Sequence, residues 1–256
     1  VPPIDTPATI LSTIAYGETS KVARLATREL GVVSVIAKGA RRPKSRFGAA
    51  LQALSDGTAT IVLARQSDLH ILAGFELTRL HLALSADIER FAIASVLGEL
   101  MLRFAPHDRQ IATYDFFRHS LDVVEGVGRE AVPVLGLRSI WGLVKQLGFA
   151  PSLDACARDG AVAAGRAGEP VAFSPAHGGV LCPLCARGVE TTRLTLRDLA
   201  DLAVLIHGHD DLPALDDRYL AAHRRLLDRY VRHHLGEGSP LPALAFWADA
   251  GWKKVG

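Results

Sequence analysis

No apolar run in this sequence approaches the ~20 residues that cross a bilayer as a helix. The first residues, VPPIDTPATI, have neither the charged start nor the apolar centre of a secretory signal. The chain starts at Val1 rather than Met, so a processed or edited start is expected. Cysteine is scarce, with 3 in 256 residues, all lying between Cys156 and Cys185. Thiols so close in sequence make a poor disulfide framework and a better metal or thiol cluster. These absences lead to the expectation of a bacterial-type cytoplasmic protein. Also absent are a Walker phosphate loop, a dinucleotide fingerprint, a serine nucleophile elbow and a paired-carboxylate constellation. Turnover, and nucleotide use above all, is therefore not expected.

Apolar residues make up 49% of the chain, enough for a real core, which excludes a disordered protein. The length suits two modest domains or one large one. The formal net charge is only +2 but is unevenly spread. Residues 1–80 carry 10 Lys/Arg against 6 Asp/Glu, whereas residues 81–256 carry 19 against 21. A basic N-terminal part on a near-neutral body points to a local polyanion surface. Its source is VIAKGARRPKSRFGAAL, residues 35–51. Lys38, Arg41, Arg42, Lys44 and Arg46 fall there within nine residues, with no acid among them. Such cations can follow a phosphate backbone and release its counterions. The plainer alternative is a solvated, mobile charged turn. Tyr16 and Phe47 flank the region, and each could stack a base or belong to the core.

The first 80 residues read as β-structure. ATILSTIAY, KVARLATREL, GVVSVIA, TATIVLAR and LHILAGFELT are short β-prone runs, the last two separated by QSD as a hairpin turn. About five strands with small-residue turns and a basic loop favour an OB-fold barrel over a sandwich. From residue 81 the period becomes helical. SADIERFAIASVLGELMLRF carries a Ser85 cap and apolar Phe91, Ala94, Leu97, Leu100 and Met101. TYDFFRHSLDVVEG follows, then REAVPVLGLRSIWGLVKQLG, whose Pro133 could start or kink its helix. TLRDLADLAVLIHG and DDRYLAAHRRLLDRYVRHHL complete the helical set. In the last, Tyr219, Leu220, His223, Leu226, Leu227, Tyr230 and Val231 form one apolar face. The expected class is α+β: an OB-fold barrel over 1–80 and a mainly helical domain over 81–256, interrupted at about 150–192.

That interruption is rich in Gly, Ala and Pro and weak in apolar periodicity, so it needs a staple. Cys182-Pro-Leu-Cys185 follows Gly178-Gly179, a turn that suits a metal knuckle, and Cys156-Ala-Arg-Asp159 lies upstream. Tetrahedral zinc takes four ligands from two such turns, and carboxylate oxygen is an acceptable donor. The candidates are Cys156, Cys182, Cys185 and either Asp159 or His177. A structural ion is favoured over a catalytic one, because no Glu base or second His accompanies the thiols. A ribbon that has lost its metal is the plainer alternative. His207–Asp211 reads as a helix end and loop despite its metal-like composition. Arg218, Arg225, Arg229 and Arg232 lie along one side of the last long helix, as a solvated face or a basic stripe.

Tyr16-Gly17-Glu18, Lys38-Gly39-Ala40-Arg41-Arg42 and Ser45, together with FSPAHGGVLCPLC at 173–185, resemble the RecO family of recombination mediators. The resemblance covers most of the chain and implies an N-terminal OB-fold, a helical domain and a zinc-ribbon-like insertion. It implies binding of single- and double-stranded DNA, annealing of complementary strands, and work with RecR to load RecA onto DNA coated by the single-stranded-DNA-binding protein. It places Lys38, Arg41, Arg42, Lys44 and Arg46 in the family's basic OB segment. It also matches Cys156, Cys182 and Cys185 to ribbon cysteines, with Asp159 replacing the fourth. The same likeness points to a bacterial, nucleoid-associated location. The acidic tail of the single-stranded-DNA-binding protein is expected on the helical domain, with Arg218, Arg225, Arg229 and Arg232 as a candidate steering stripe. Two other classes stay open: a zinc-dependent nucleic-acid hydrolase, and a scaffold whose basic loop grips an acidic protein tail.

Overall fold

Polar and apolar residues alternate along the first eighty positions, and the backbone follows that period of two. The computed structural model describes residues 2–48, 50–162, 169–208, 212–236, 240–250 and 252. Strands β1 (Ile4–Tyr16), β2 (Ser20–Thr27), β3 (Gly31–Ala37), β4 (Asp56–Val62) and β5 (Leu69–Arg79) form a closed barrel in the order β1-β2-β3-β5-β4. This is the OB-type barrel the sequence predicts. Most pairs are antiparallel, and β3 runs parallel to β5. The long β1 serves two partners, its first half on β4 and its second on β2, with a register shift between Ile10 and Ser12. Inward residues, among them Ile10, Leu25, Val35, Ile61 and Leu72, are buried together as the barrel core.

Helices α1 (Leu82–Ala86), α2 (Ile88–Phe104) and α3 (Ile111–Gly126) follow. Ser85 does not cap α2; Asp87 does, its carboxylate accepting from the Glu89 and Arg90 N–H groups at 3.0 and 3.1 Å. Phe91, expected on the core face, is exposed, while Ile93, Val96, Leu97, Leu100 and Met101 are buried. The helix is apolar over more than one stripe because it packs on β1 and β2 as well as on α3. Gly31 is required where the chain returns: at φ 68° it lets the 106–108 segment approach, and a Cβ there would lie 2.3 Å from the Asp108 carbonyl oxygen. Strands give way to helices near residue 81, but α1–α3 pack within the barrel's own unit. The chain divides into Val1–Gly126 and Val127–Gly256.

In the second unit a short 3-10 turn leads into α4 (Val132–Gln146), and Pro133 occupies its first turn, so the proline starts this helix. Then come β6 (Val171–Ser174), β7 (Gly179–Leu181), β8 (Thr192–Leu194), α5 (Leu196–His207), α6 (Asp217–His234) and α7 (Pro242–Ala248). The core is built on Tyr230, whose ring centroid lies 5.3 Å from that of Trp141 and 6.1 Å from that of Phe173. Burial raises the Tyr230 phenol to about 12. Arg224, on the predicted apolar helix, is also buried, with its guanidinium 5.4 Å from the Trp247 ring centroid. The irregular insertion is a three-stranded sheet, ordered β7-β6-β8. It is tied to the upstream chain by Ser152, whose N–H donates to Gly178 at 2.9 Å and whose carbonyl accepts from Val180 at 2.9 Å. Gly179 permits this contact, since a Cβ there would lie 2.2 Å from the Ser152 oxygen. His207 ends α5 before Gly208, and positions 209–211 lie outside the described residues.

Candidate nucleic-acid interface and metal centre

The basic loop is a built element. After Ala37 the chain makes successive tight turns, with Arg42 N–H donating to Gly39, Ser45 to Arg42, Gly48 to Ser45 and Ala50 to Phe47. Ala40, Phe47, Ala50 and Leu51 drop into the barrel core and seal it. Phe47 is therefore core, and of the two aromatics only Tyr16 remains at the surface. Lys38, Arg41, Arg42, Lys44 and Arg46 all face solvent above this apolar plug. Arg41 pins the loop to the β1–β2 turn: its N–H donates to Thr19 O and its Nη1 to Gly17 O, both at 2.9 Å. Arg46 lies over the Phe47 ring, 5.1 Å from the centroid. Among the described residues, no carboxylate pairs with any of the five cations. Their positive field is thus held in place and left uncancelled, as a phosphate-binding surface requires.

The insertion brings Cys156, Asp159, Cys182 and Cys185 together, with ligand atoms within 4.8 Å of one another. Two turns supply them in pairs, Cys156–Asp159 and Cys182–Cys185. Ligand atoms of a tetrahedral zinc–thiolate site lie about 3.7 Å apart, so small side-chain adjustments would close this group on an ion. The Cys185 N–H lies 3.4 Å from the Cys182 sulfur, the kind of outer contact that orients a thiolate. Asp159 Oδ1 accepts from the Ala161 N–H at 3.0 Å, and its Oδ2 faces Cys185 Sγ at 3.1 Å and Cys182 Sγ at 3.5 Å. Hydrogen bonds from Cys156, the Ala161 N–H and the other thiols hold Asp159 well below the usual carboxylate range. The Asp159 carboxylate in turn pushes Cys185 up to about 12. Burial works against the Cys156 thiolate, but the N–H groups of Cys182, Asp159 and Arg158 outweigh it and lower that thiol. His177 is not part of the group; it ends a 3-10 turn with Nδ1 3.1 Å from Ser174 Oγ. The cluster has the donors to hold a metal ion, and its fourth is Asp159.

Arg218, Arg225, Arg229 and Arg232 are all exposed on α6. Two are committed locally: Arg232 Nε lies 2.8 Å from Asp228 Oδ1, and Arg229 Nη2 donates to Thr192 Oγ1 at 2.8 Å. Arg225 and Arg229 border a cleft of about 180 Å³ whose floor includes Leu194, Leu226 and His223. His223 is only 3% exposed, and neither ring nitrogen has a hydrogen-bond partner. Burial lowers its pKa and keeps it neutral.

Sequence reasoning missed a charged cluster in the first unit. Asp56 opens β4 and His81 precedes α1; both are buried, and they meet Arg79, Arg118, Asp122 and Glu125. The available signal was an acid at the start of a β-prone run and a histidine at its strand-to-helix junction. Neither residue carries a motif.

Comparison with known proteins agrees with this architecture. Residues 3–81 match the model for "Recombination protein O N terminal", and residues 85–244 match "Recombination protein O C terminal". A DNA repair protein RecO of Anaeromyxobacter sp. (strain K) is 36% identical over 239 residues, 89% of each chain. One of Myxococcus xanthus is 30% identical over 253 residues, 96% of this chain and 98% of that one. One of Symbiobacterium thermophilum is 36% identical over 195 residues, 75% of this chain and 76% of the relative. With both halves matched and relatives aligned over nearly its whole length, the chain belongs to the RecO family.

Proposed function

We propose that this chain is a DNA-binding recombination mediator that anneals complementary strands and, with RecR, helps load RecA onto DNA coated by the single-stranded-DNA-binding protein. The observation that carries the reading is the anchored loop of five solvent-facing cations on an OB-type barrel, in a chain whose relatives are named DNA repair proteins. Residues 1–80 form the DNA-binding domain in this reading, and 81–256 the helical domain with its insertion at about 150–192. Phosphate contacts carry no sequence information, which suits a protein that must hold any strand for pairing. The protein acts without turnover of DNA or nucleotide, in the bacterial cytoplasm at the nucleoid.

Cys156, Asp159, Cys182 and Cys185 hold one structural Zn²⁺ in this reading. A structural rather than catalytic ion is supported by four protein donors, which leave no open position for a reacting water. The acidic tail of the single-stranded-DNA-binding protein docks along Arg218, Arg225, Arg229 and Arg232. The cleft between Arg225 and Arg229 supports that placement, because it offers cations around an apolar floor. The test is strand annealing with purified protein, with and without strands coated by the binding protein. Annealing of both is expected; metal-dependent cleavage by the protein alone would instead establish the hydrolase reading.

A further inference from the structure

The small sheet of the second unit keeps one edge open. β8 ends the order β7-β6-β8, and among the described residues no backbone group bonds its outer edge. Its side chains divide between two faces. Thr192 pairs with Phe173 and Leu194 with Val171, on the face where Phe173 packs on Tyr230 of α6. Arg193 pairs with Ala172 and stands on the opposite face. The cleft between Arg225 and Arg229 is nevertheless lined by all three, Thr192, Arg193 and Leu194. A space that touches three successive residues of a strand lies along the strand's edge. An unpaired edge beside a cleft is a template for one more strand.

The cleft holds a polar group with nothing to bond. His223 on α6 is 3% exposed, and neither of its ring nitrogens has a partner. Burial keeps the ring neutral, so it presents one N–H and one lone pair. A buried donor with no partner calls for one from outside the chain. Beside it, Leu194 and Leu226 give an apolar floor, and Arg193, Arg225 and Arg229 are exposed at the rim. Asp198 also lines the cleft, but it serves the α5 cap, accepting from the Thr195 N–H at 2.9 Å and its hydroxyl at 2.7 Å. Asp201, the other acid whose charge reaches His223, faces Arg197 Nε at 3.6 Å. The cleft therefore fits an anionic group and an apolar group side by side on an extended backbone. A chain terminus has that chemistry, because its carboxylate and its last side chain leave the same α-carbon. An internal Asp or Glu carries its carboxylate in place of an apolar side chain.

We propose that β8 and this cleft take the C-terminal residues of an acidic partner as an added strand, with its terminal carboxylate on His223 between Arg225 and Arg229. This rests on the acidic-tail reading of the same cleft, and it adds how the peptide lies and which group recognises its end. Pairing along β8 sends alternate peptide side chains to opposite faces. The last, apolar one enters the cleft against Leu194 and Leu226. The one before it lies on the Arg193 face, where Arg187 and Arg193 line a second cleft, so an acid is favoured there. Backbone pairing supplies affinity that does not depend on sequence, and the two clefts supply the choice of side chains.

The test measures binding of a short peptide of aspartates ending in phenylalanine with a free carboxylate, and of the same peptide as its C-terminal amide. A charge-assisted hydrogen bond should make the free acid bind about tenfold tighter or more. His223→Leu, which removes the ring N–H, should abolish that ratio, and His223→Gln, which restores a donor, should recover part of it. Circular dichroism should show both variants folded, because the imidazole makes no hydrogen bond for either to lose. A second measurement needs no variant. N-methylation of single peptide bonds should weaken binding at alternate positions only, since alternate N–H groups of an added strand face β8. Equal affinity for acid and amide would overturn the proposal. So would a ratio that survives His223→Leu, or N-methylation effects without alternation. If Arg225→Glu with Arg229→Glu still weakened the peptide in those cases, the acidic-tail reading would stand and only this mode would fall. Binding of neither peptide would remove that reading from the cleft, and this mode with it.

Discussion

His81 Nε2 stands 2.8 Å from Asp56 Oδ2, with the imidazole wholly buried. Its Nδ1 lies 2.7 Å from Glu125 Oε2. Ionised carboxylates only accept, so both ring nitrogens donate and His81 is an imidazolium. Burial works against that charge, but Asp56 and Glu125 outweigh it and raise the pKa above the ordinary histidine value. Asp56 also accepts from Thr9 Oγ1 at 2.5 Å and from Arg118 Nε at 2.9 Å, while Arg79 lies 2.6 Å from Glu125 and 2.5 Å from Asp122. Three cations face three anions, joining β1, β4 and β5 to α3 through the residue before α1.

The sign of the pH dependence follows. The folded pKa of His81 lies above the unfolded value of about 6.5, so its contribution is complete below pH ~6.5 and is lost as pH rises through the folded pKa. Thermal melts should show the first unit weakening on the alkaline side, with the His81 ring NMR signals titrating over the same range. His81→Ala should cost about 3 kcal/mol at pH 6, because it removes the buried cation between Asp56 and Glu125 and leaves Asp56 with Arg118 alone, and should remove the alkaline dependence. A variant as stable as wild type would contradict the imidazolium assignment.

The basic loop predicts a salt effect. Each phosphate contact to a single strand adds roughly 0.7 to the slope of log affinity against log salt. Arg41→Ala with Arg42→Ala should flatten that slope by about 1.4 if both touch phosphate, equally for different base sequences. Annealing should fall with binding. Loss of Arg41 also frees the loop from Gly17, but the apolar plug stays, so folding should change by less than about 1 kcal/mol. Unchanged affinity and slope would make the loop an ordinary solvated turn.

Zinc content separates the fourth ligands. Asp159→Ala should lower zinc retention against a chelator, whereas His177→Ala should leave it unchanged. Asp159→Cys should retain zinc, since it completes a four-thiolate site. Structural zinc can contribute on the order of 10 kcal/mol to a small module. Hydrogen exchange after chelation should therefore open residues 150–162 and 169–192 first and spare the barrel. Protein purified without chelator and free of zinc by elemental analysis would count against the assignment.

The cleft on α6 predicts a charge-dependent peptide site. Reversal of Arg225 and Arg229 to Glu should weaken an acidic peptide ending in an aromatic residue and a carboxylate by at least tenfold, the effect shrinking with salt. Arg218→Glu, away from the cleft, should matter less. A titration indifferent to the Arg225 and Arg229 reversals would remove this face from the pathway.

The strands and long helices are local properties, written in period and turn residues: β1–β5 and α2–α6 follow from which neighbours alternate, whereas Pro133 could start or kink its helix until the structure placed it in the first turn of α4. Boundaries were weaker. Ser85 and Asp87 both have capping side chains, and only the helix's docking chose Asp87. The β6–β8 strands have three or four residues each, too few for a period to register, and α7 is nearly as short.

The sequence by itself determined that five cations stand together, that three thiols and a carboxylate come in two spaced pairs, and that a barrel precedes helices. Only the tertiary structure decided how those groups are used. Tyr16 and Phe47 look alike beside the basic segment, yet barrel closure buried Phe47 as a plug and left Tyr16 outside. Asp159 and His177 were both candidates, His177 as the alternative, until the turns folded and pointed one toward the thiols and the other toward Ser174. Asp56 and His81 lie 25 residues apart, and nothing local links them. Their pairing comes from long-range strand register and helix docking, and low dielectric makes that pairing strong only once both are buried.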